Sequence, residues 1–278
     1  MSEKKKIGIM LALLFTACMT WLQGCAGMDT INVTRYMREQ TVIDNQETLS
    51  NAKNAWWIKR KENHDPSDAQ DEIDLSVYDA CYYDENPKGK VIYLTFDCGY
   101  DNGYTETMLD VLKKHKAVAT FFVTKHYVKD SAHIVKRMKQ EGHAVGNHTC
   151  NHHSLPTLSE EELKEEVLQL EKYMKQYTGY EMDKAFRPPS GEYSEKTLQI
   201  IKNLGYRTYF WSMAYLDYDV NKQPGKQYVI EHFKQYHHNG AIPLIHNVSS
   251  SNAEALDEVL TNLEQEGYRF GSVLEIGQ

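Results

Sequence analysis

Little in this 278-residue chain points to covalent bracing, nucleic-acid contact or a membrane bundle. Of its five cysteines, Cys18 and Cys25 lie near the N-terminus, leaving Cys81, Cys98 and Cys150 for the body. Three scattered cysteines make no disulfide framework, so the fold must rest on a packed core. A single pairing of Cys81 is the one bridge left open. Excess positive charge is also missing: 31 Lys and Arg face 39 Asp and Glu, a formal net charge of −8. No basic stripe interleaved with aromatics survives that balance, which argues against nucleic acid as a partner. Internal repeats and low-complexity tracts are absent, and the one long charge-free apolar run covers residues 7–22.

That run follows Lys4-Lys5-Lys6, giving the basic and apolar regions of an export signal. It ends in Leu22-Gln23-Gly24-Cys25, which resembles a lipobox, where the cysteine is lipidated and becomes the first mature residue. The alternative is an uncleaved anchor, for which the stretch is short. Both readings place the body outside the cytoplasmic membrane. Residues 1–25 are therefore expected to be a lipoprotein-type signal peptide. Residues 26–88 read as a polar approach segment whose one strongly apolar point is Trp56-Trp57. The turn signal Asn86-Pro87-Lys88-Gly89 ends it.

From residue 89 to 278 short apolar runs alternate with amphipathic ones. Val91 to Phe96, Ala119 to Val123, His143 to Gly146, Ala185 to Arg187, Tyr206 to Trp211, Ala241 to His246 and Tyr268 to Phe270 read as strands. Helical spacing runs over 105–115, 134–140, 194–204, 228–237 and 253–266. A further helix follows Ser159, whose spacing to Glu162 is that of a capping box. About seven strands alternating with helices predict an α/β fold with a parallel sheet. Asp97, His148, Arg187, Asp217 and His246 all fall at or just after strand ends. Such positions converge on one face of a β/α barrel, which favours a distorted barrel over an open sheet.

Each of these residues has an ordinary reading when taken alone. The His148-x-x-x-His152 pair could share a helical face and hold a metal, or sit in a loop and bond water. His237-His238 suits a helix end, where imidazoles meet terminal carbonyls. Asp97 closes a strand of apolar and hydroxyl residues, a costly place for an acid unless it is paired or used. Arg187 is the candidate partner. His246 ends a buried run and would alone be a satisfied core histidine.

Taken together, Thr95-Phe96-Asp97-Cys98-Gly99, His148-Thr149-Cys150-Asn151-His152, Arg187-Pro188-Pro189-Ser190-Gly191, Asp217-Tyr218 and Leu244-Ile245-His246 match five motifs in order. The chain thereby resembles the polysaccharide deacetylases, the NodB-homology group or carbohydrate esterase family four. Phe96 to Tyr104 and Phe210 to Ala214 are most similar to the branch that forms muramic δ-lactam in spore cortex.

The resemblance implies a distorted (β/α) barrel and a divalent metal, with Cys98, if it ligates, favouring zinc. It makes Asp97 the general base, paired with Arg187, and His246 the acid, oriented by Asp217. His148 and His152 would hold the metal. Cys98 stands where the family carries a metal-binding Asp, as the candidate third ligand. Ser190 and Gly191 would supply an oxyanion donor, and Tyr218 and Trp211 would wall the substrate groove. Ala214 replaces an acid common in the family. The implied activity is removal of acetyl from N-acetylmuramic acid in peptidoglycan, before closure to the lactam. That places the protein beside the glycan strand, at the membrane through Cys25, and in sequence with a stem-peptide amidase. Alternatives are an N-acetylglucosamine deacetylase and a degenerate wall-glycan-binding domain. The acidic net charge gives no long-range steering toward an anionic polymer. Recognition is therefore expected from groove contacts and local cations such as Arg187.

Overall fold

Runs rich in β-branched and aromatic residues become strands when both faces can be buried, and here the buried runs line up side by side. The computed structural model describes residues 49–70 and 73–278. One all-parallel sheet is built from β1 (Ala80–Cys81), β2 (Thr95–Cys98), β3 (Thr120–Val123), β4 (Ala144–Asn147), β5 (Ala185–Phe186), β6 (Arg207–Tyr209) and β7 (Leu244–His246). Their order is β7-β2-β3-β4-β5-β6-β1. The sheet curls into a distorted (β/α) barrel. Chain leaving β6 spans the gap between its edges: Ser212 donates its N–H to the Ile242 carbonyl at 3.0 Å, and Leu244 donates to Met213 at 2.8 Å.

Helices cover the outer face: α1 (Thr105–Lys114), α2 (Lys125–Asp130), α3 (Ala132–Gln140), α4 (Glu160–Thr178), α5 (Glu195–Asn203), α6 (Lys226–Tyr236) and α7 (Ser250–Gln265). The longest, α4, shows why they form. Ser159 and Glu162 complete the capping box, Glu160, Glu161 and Glu162 face the positive end, and Gly179 ends the helix at φ 81°. Leu163, Val167, Leu170 and Met174 recur at helical spacing and are buried against the sheet.

The pleat sorts side chains between two cores. Phe96 and Cys98 of β2 point outward into the layer with Met108, Leu109 and Leu112 of α1. Thr95 and Asp97 alternate with them. The interior core holds Tyr93, Phe122, Ala185, Tyr209 and Ile242. C-terminal residues Val273 and Ile276 plug the end where the strands begin, with the Val273 N–H donated to Thr120 at 3.3 Å. The opposite end, where the strands finish, is left for chemistry.

Two expectations about organisation need correction. The boundary at residue 89 falls inside the folded unit, because β1 is an edge strand of the barrel and the compact unit begins upstream of it. Trp56 stacks on Phe210 with ring centroids 4.5 Å apart and donates its indole N–H to the Trp211 carbonyl at 3.0 Å. The run 91–96 is also not one strand. Val91–Ile92 pairs with Arg269–Phe270 in a separate two-stranded sheet, so the seventh barrel strand is β1 and not the C-terminal run. The expected signal peptide and Cys25 lie outside the described residues. Among the described residues no helix is long and apolar enough to cross a membrane. Trp56→Ala is expected to lower the unfolding free energy by about 3 kcal/mol, read from the urea midpoint. A change within error would return residues 54–60 to the status of an approach segment.

Candidate active site

Asp97 and His246 meet across the β2–β7 pair, where the parallel register sets them directly opposite. Arg187 follows β5 and reaches across the barrel interior to β2. It donates from Nη1 to Asp97 Oδ1 at 2.9 Å and to Thr95 Oγ1 at 2.8 Å. Its Nε and Nη2 donate to the Tyr209 and Phe210 carbonyls, each at 3.0 Å. The guanidinium is 0% exposed. Burial pushes the Asp97 carboxyl upward, but the charge of Arg187, then those of His148 and His246, bring it below the ordinary carboxylate range.

His148 and His152 come from the loop after β4, not from a helix. Thr149 and His152 adopt positive φ of 67° and 58°. The loop is pinned by Asn147, which accepts the Thr149 N–H at 2.9 Å, and by Glu166 of α4, which accepts the Asn151 N–H at 2.8 Å. The two rings lie edge to face with centroids 4.9 Å apart. His148 Nδ1 is 2.8 Å from the Arg187 carbonyl, which only accepts, so Nδ1 carries the proton. Its Nε2 is then a bare lone pair, 3.6 Å from Asp97 Oδ2. Burial lowers the His148 pKa to about 4 and lowers that of His152 as well, which favours the neutral form of both rings.

His246 is tuned the other way. Its Nδ1 lies 2.6 Å from Asp217 Oδ1, and its backbone N–H is donated to Asp217 Oδ2 at 2.8 Å. Asn252 of α7 also donates to Oδ2, at 2.7 Å, so the buried Asp217 is fully engaged. Burial works to lower the His246 pKa, and the hydrogen bond and charge of Asp217 outweigh it and raise it. Asp97, His148, His152 and His246 open into one cavity of about 1380 Å³, walled by Trp211, Tyr100 and the half-exposed Tyr218. Tyr218 sits edge-on to His246 at 5.8 Å.

This arrangement has counterparts among known proteins. A polysaccharide deacetylase family model matches residues 84–209. The peptidoglycan-N-acetylmuramic acid deacetylase PdaA of Bacillus subtilis is 45% identical over 82% of this chain and 87% of its own length. The chain belongs to the polysaccharide deacetylase family. A solved structure of that Bacillus subtilis protein, a family 4 carbohydrate esterase, superposes with a TM-score of 0.78, covering 82% of this chain and 98% of that one at 44% identity. A peptidoglycan-N-acetylglucosamine deacetylase of Bacillus cereus is 35% identical over 67% of this chain and 88% of its own.

Polysaccharide deacetylases are metal-dependent in general. The donors present fit such an ion in part: two neutral imidazoles share one corner, and the proton of His148 is held on the nitrogen facing away. Cys98 does not join them. Its thiol lies in the outer core, 3.8 Å from the Phe96 carbonyl, and burial pushes its pKa well above the ordinary thiol range. Strand alternation explains this: with Asp97 facing inward, the next residue faces outward. Among the described residues no cluster of three or more His, Cys, Asp or Glu side chains forms a metal cage.

Arg187 needs a second correction, since a fully buried guanidinium is not a local cation for an incoming glycan. Ser190 lines the cavity from a turn with φ 54°, whereas Gly191 lies beneath Trp211. A β-carbon on Gly191 would come within 2.6 Å of that ring. His237 and His238 are structural, as expected: His237 Nδ1 meets the Phe233 carbonyl at 2.8 Å and His238 Nε2 meets Ser212 at 2.9 Å. Sequence reasoning missed Glu166 and Asn252, whose buried polar side chains fall at helical spacing without marking themselves. It also missed Arg60, which lines the cavity from the upstream segment.

Cys98→Ala is expected to retain the metal content of the parent, measured by mass spectrometry of the purified protein, while losing about 1 kcal/mol of stability. Loss of metal with stability intact would return the thiol to the metal shell.

Proposed function

We propose that this protein removes the acetyl group from N-acetylmuramic acid in peptidoglycan, preparing the free amine for closure onto its own lactyl carboxyl. The observation that carries the reading is the opposed pair Asp97 and His246 on adjacent strands at the mouth of a single cavity, with the ionised form of the carboxyl and the protonated form of the imidazole each favoured by its partner. The muramic assignment is supported by the similarity to the Bacillus subtilis enzyme. The lipobox-like leader supports an exported protein, lipid-anchored at Cys25 and facing the wall or spore cortex. Lactam formation further needs an amidase that has removed the stem peptide.

His148 and His152 would hold the metal. Imidazole donors suit zinc, so the zinc assignment rests on them and not on Cys98. When bound, the ion polarises the acetyl carbonyl and makes the attacking water more acidic. Asp97 accepts the water's proton, with Arg187 occupying Oδ1 and leaving Oδ2 toward the cavity. The water oxygen bonds to the acetyl carbon, and the Ser190 backbone N–H donates to the oxygen that gains charge. His246, held through Nδ1 by Asp217, delivers the Nε2 proton to the amine as the C–N bond breaks and acetate departs. Tyr100, Trp211 and Tyr218 offer faces against which a sugar ring can lie.

Asp97→Asn is expected to reduce kcat by two to four orders of magnitude. A variant as active as its parent would overturn the mechanism. Mass spectrometry of digested glycan strands tests the substrate: acetyl loss on muramic residues supports the reading, and loss confined to glucosamine residues refutes it. Because the His246 pKa is raised, its protonated form persists to higher pH than an ordinary imidazole, and activity falls as pH climbs through that raised value. Asp217→Asn removes the cause, so the alkaline limb of kcat/KM against pH moves to lower pH. An unmoved limb would assign it to another group.

A further inference from the structure

The cavity that holds Asp97 and His246 also holds charges that the hydrolysis does not use. Its ionisable lining includes the cations Arg60 and Lys222 and the acids Asp97 and Glu62. The charge of Asp97 is already answered by Arg187, which does not itself reach the cavity. Arg60 and Lys222, against Glu62 alone, therefore leave the open groove one cation in excess. Neither cation forms an ion pair among the described residues, although neighbouring Lys61 is committed to Asp68. The protein as a whole is acidic, so this local surplus runs against the composition.

Arg60 is also placed, not merely present. Its Nη2 donates to the Ala214 carbonyl at 2.8 Å, on the segment that leads into Asp217, the partner of His246. Its guanidinium lies over the Tyr236 ring at 5.4 Å, and Tyr236 lines the same cavity. One contact fixes the fork from the β6–β7 connection and the other from α6, while the remaining N–H groups face solvent. A planar, always-charged fork held this way matches a carboxylate. A muramic sugar differs from a glucosamine by one group, an ether-linked lactyl carboxylate on the ring that bears the scissile acetamide. A cation in the same groove discriminates the two by charge.

We infer that Arg60, supported by Lys222, receives the lactyl carboxylate of the substrate and selects muramic over glucosamine residues. The inference rests on the muramic reading above and adds the residue that makes the choice. The upstream segment thereby completes the substrate groove as well as the fold.

The test uses the full chain loaded with metal and two substrates. One is peptide-free peptidoglycan strands with free lactyl carboxylates; the other is the same strands with those carboxylates converted to methylamides. The parent is expected to prefer the free acid. Arg60→Gln should raise KM roughly tenfold to a hundredfold on the free acid, with kcat close to the parent's, and leave KM on the methylamide unchanged. Arg60→Lys, which keeps the charge but not the fork, should recover part of the loss. Equal losses on both substrates would make Arg60 a brace for Ala214, and no loss on the free acid would remove it from recognition; either overturns the inference. The parent alone judges the underlying reading: if its product carries free amines only on glucosamine residues, the proposed function falls and the inference with it.

Discussion

A cation with no exposed surface, Arg187, is the constraint around which the rest of the molecule is arranged. A buried guanidinium is tolerated only when its donors are met and its charge is answered. Here two carbonyls after β6, a hydroxyl on β2 and one carboxylate oxygen do this. These partners come from strands that are not neighbours in the sheet, so they can be satisfied together only if the sheet curls. The same residue governs the chemistry from both ends. Its side chain holds Asp97 ionised, and its carbonyl fixes the proton of His148.

Around that fixed charge, neighbouring groups are pushed in opposite directions by ordinary forces. Asp97 is low because cationic neighbours outweigh burial, and His246 is high because Asp217 does so. His148 is low because burial wins over Asp97. Base, acid and neutral donors thus coexist within one cavity at one pH. None of this requires unusual residues. It requires a partner of opposite charge hydrogen-bonded behind Asp97 and behind His246, and burial that outweighs any such partner at His148.

Much of this was legible in the sequence, for identifiable reasons. Strong helices announced themselves through caps and periodicity, as Ser159, Glu162 and Gly179 do for α4. Working residues were legible because each ends a buried run, where an Asp or His has no ordinary excuse. The misses have physical causes too. β1 is two residues long and set in polar surroundings, so no periodicity marks it, while Tyr268 to Phe270 looks like a strand and is one, but pairs elsewhere. The position of Cys98 was in fact readable: a strand that turns Asp97 inward must turn its successor outward. Arg60 was hidden by distance along the chain, since nothing local to it signals that the barrel end lies alongside.

The shortness of β1 has a consequence for what the sheet offers at this edge. A two-residue edge strand offers little unpaired backbone to a neighbour, and it covers the longer edge presented by β6. A chain beginning at residue 89 would lose β1 and the Trp56 stack together, freeing the Thr208 and Phe210 N–H groups that now donate to the Asp79 and Cys81 carbonyls and uncovering the Phe210 ring. That side of β6 would then be an unpaired strand edge, open to the addition of another strand. The upstream segment therefore does for the sheet edge what a cap does for a helix end: it meets backbone groups that the later barrel strands leave open.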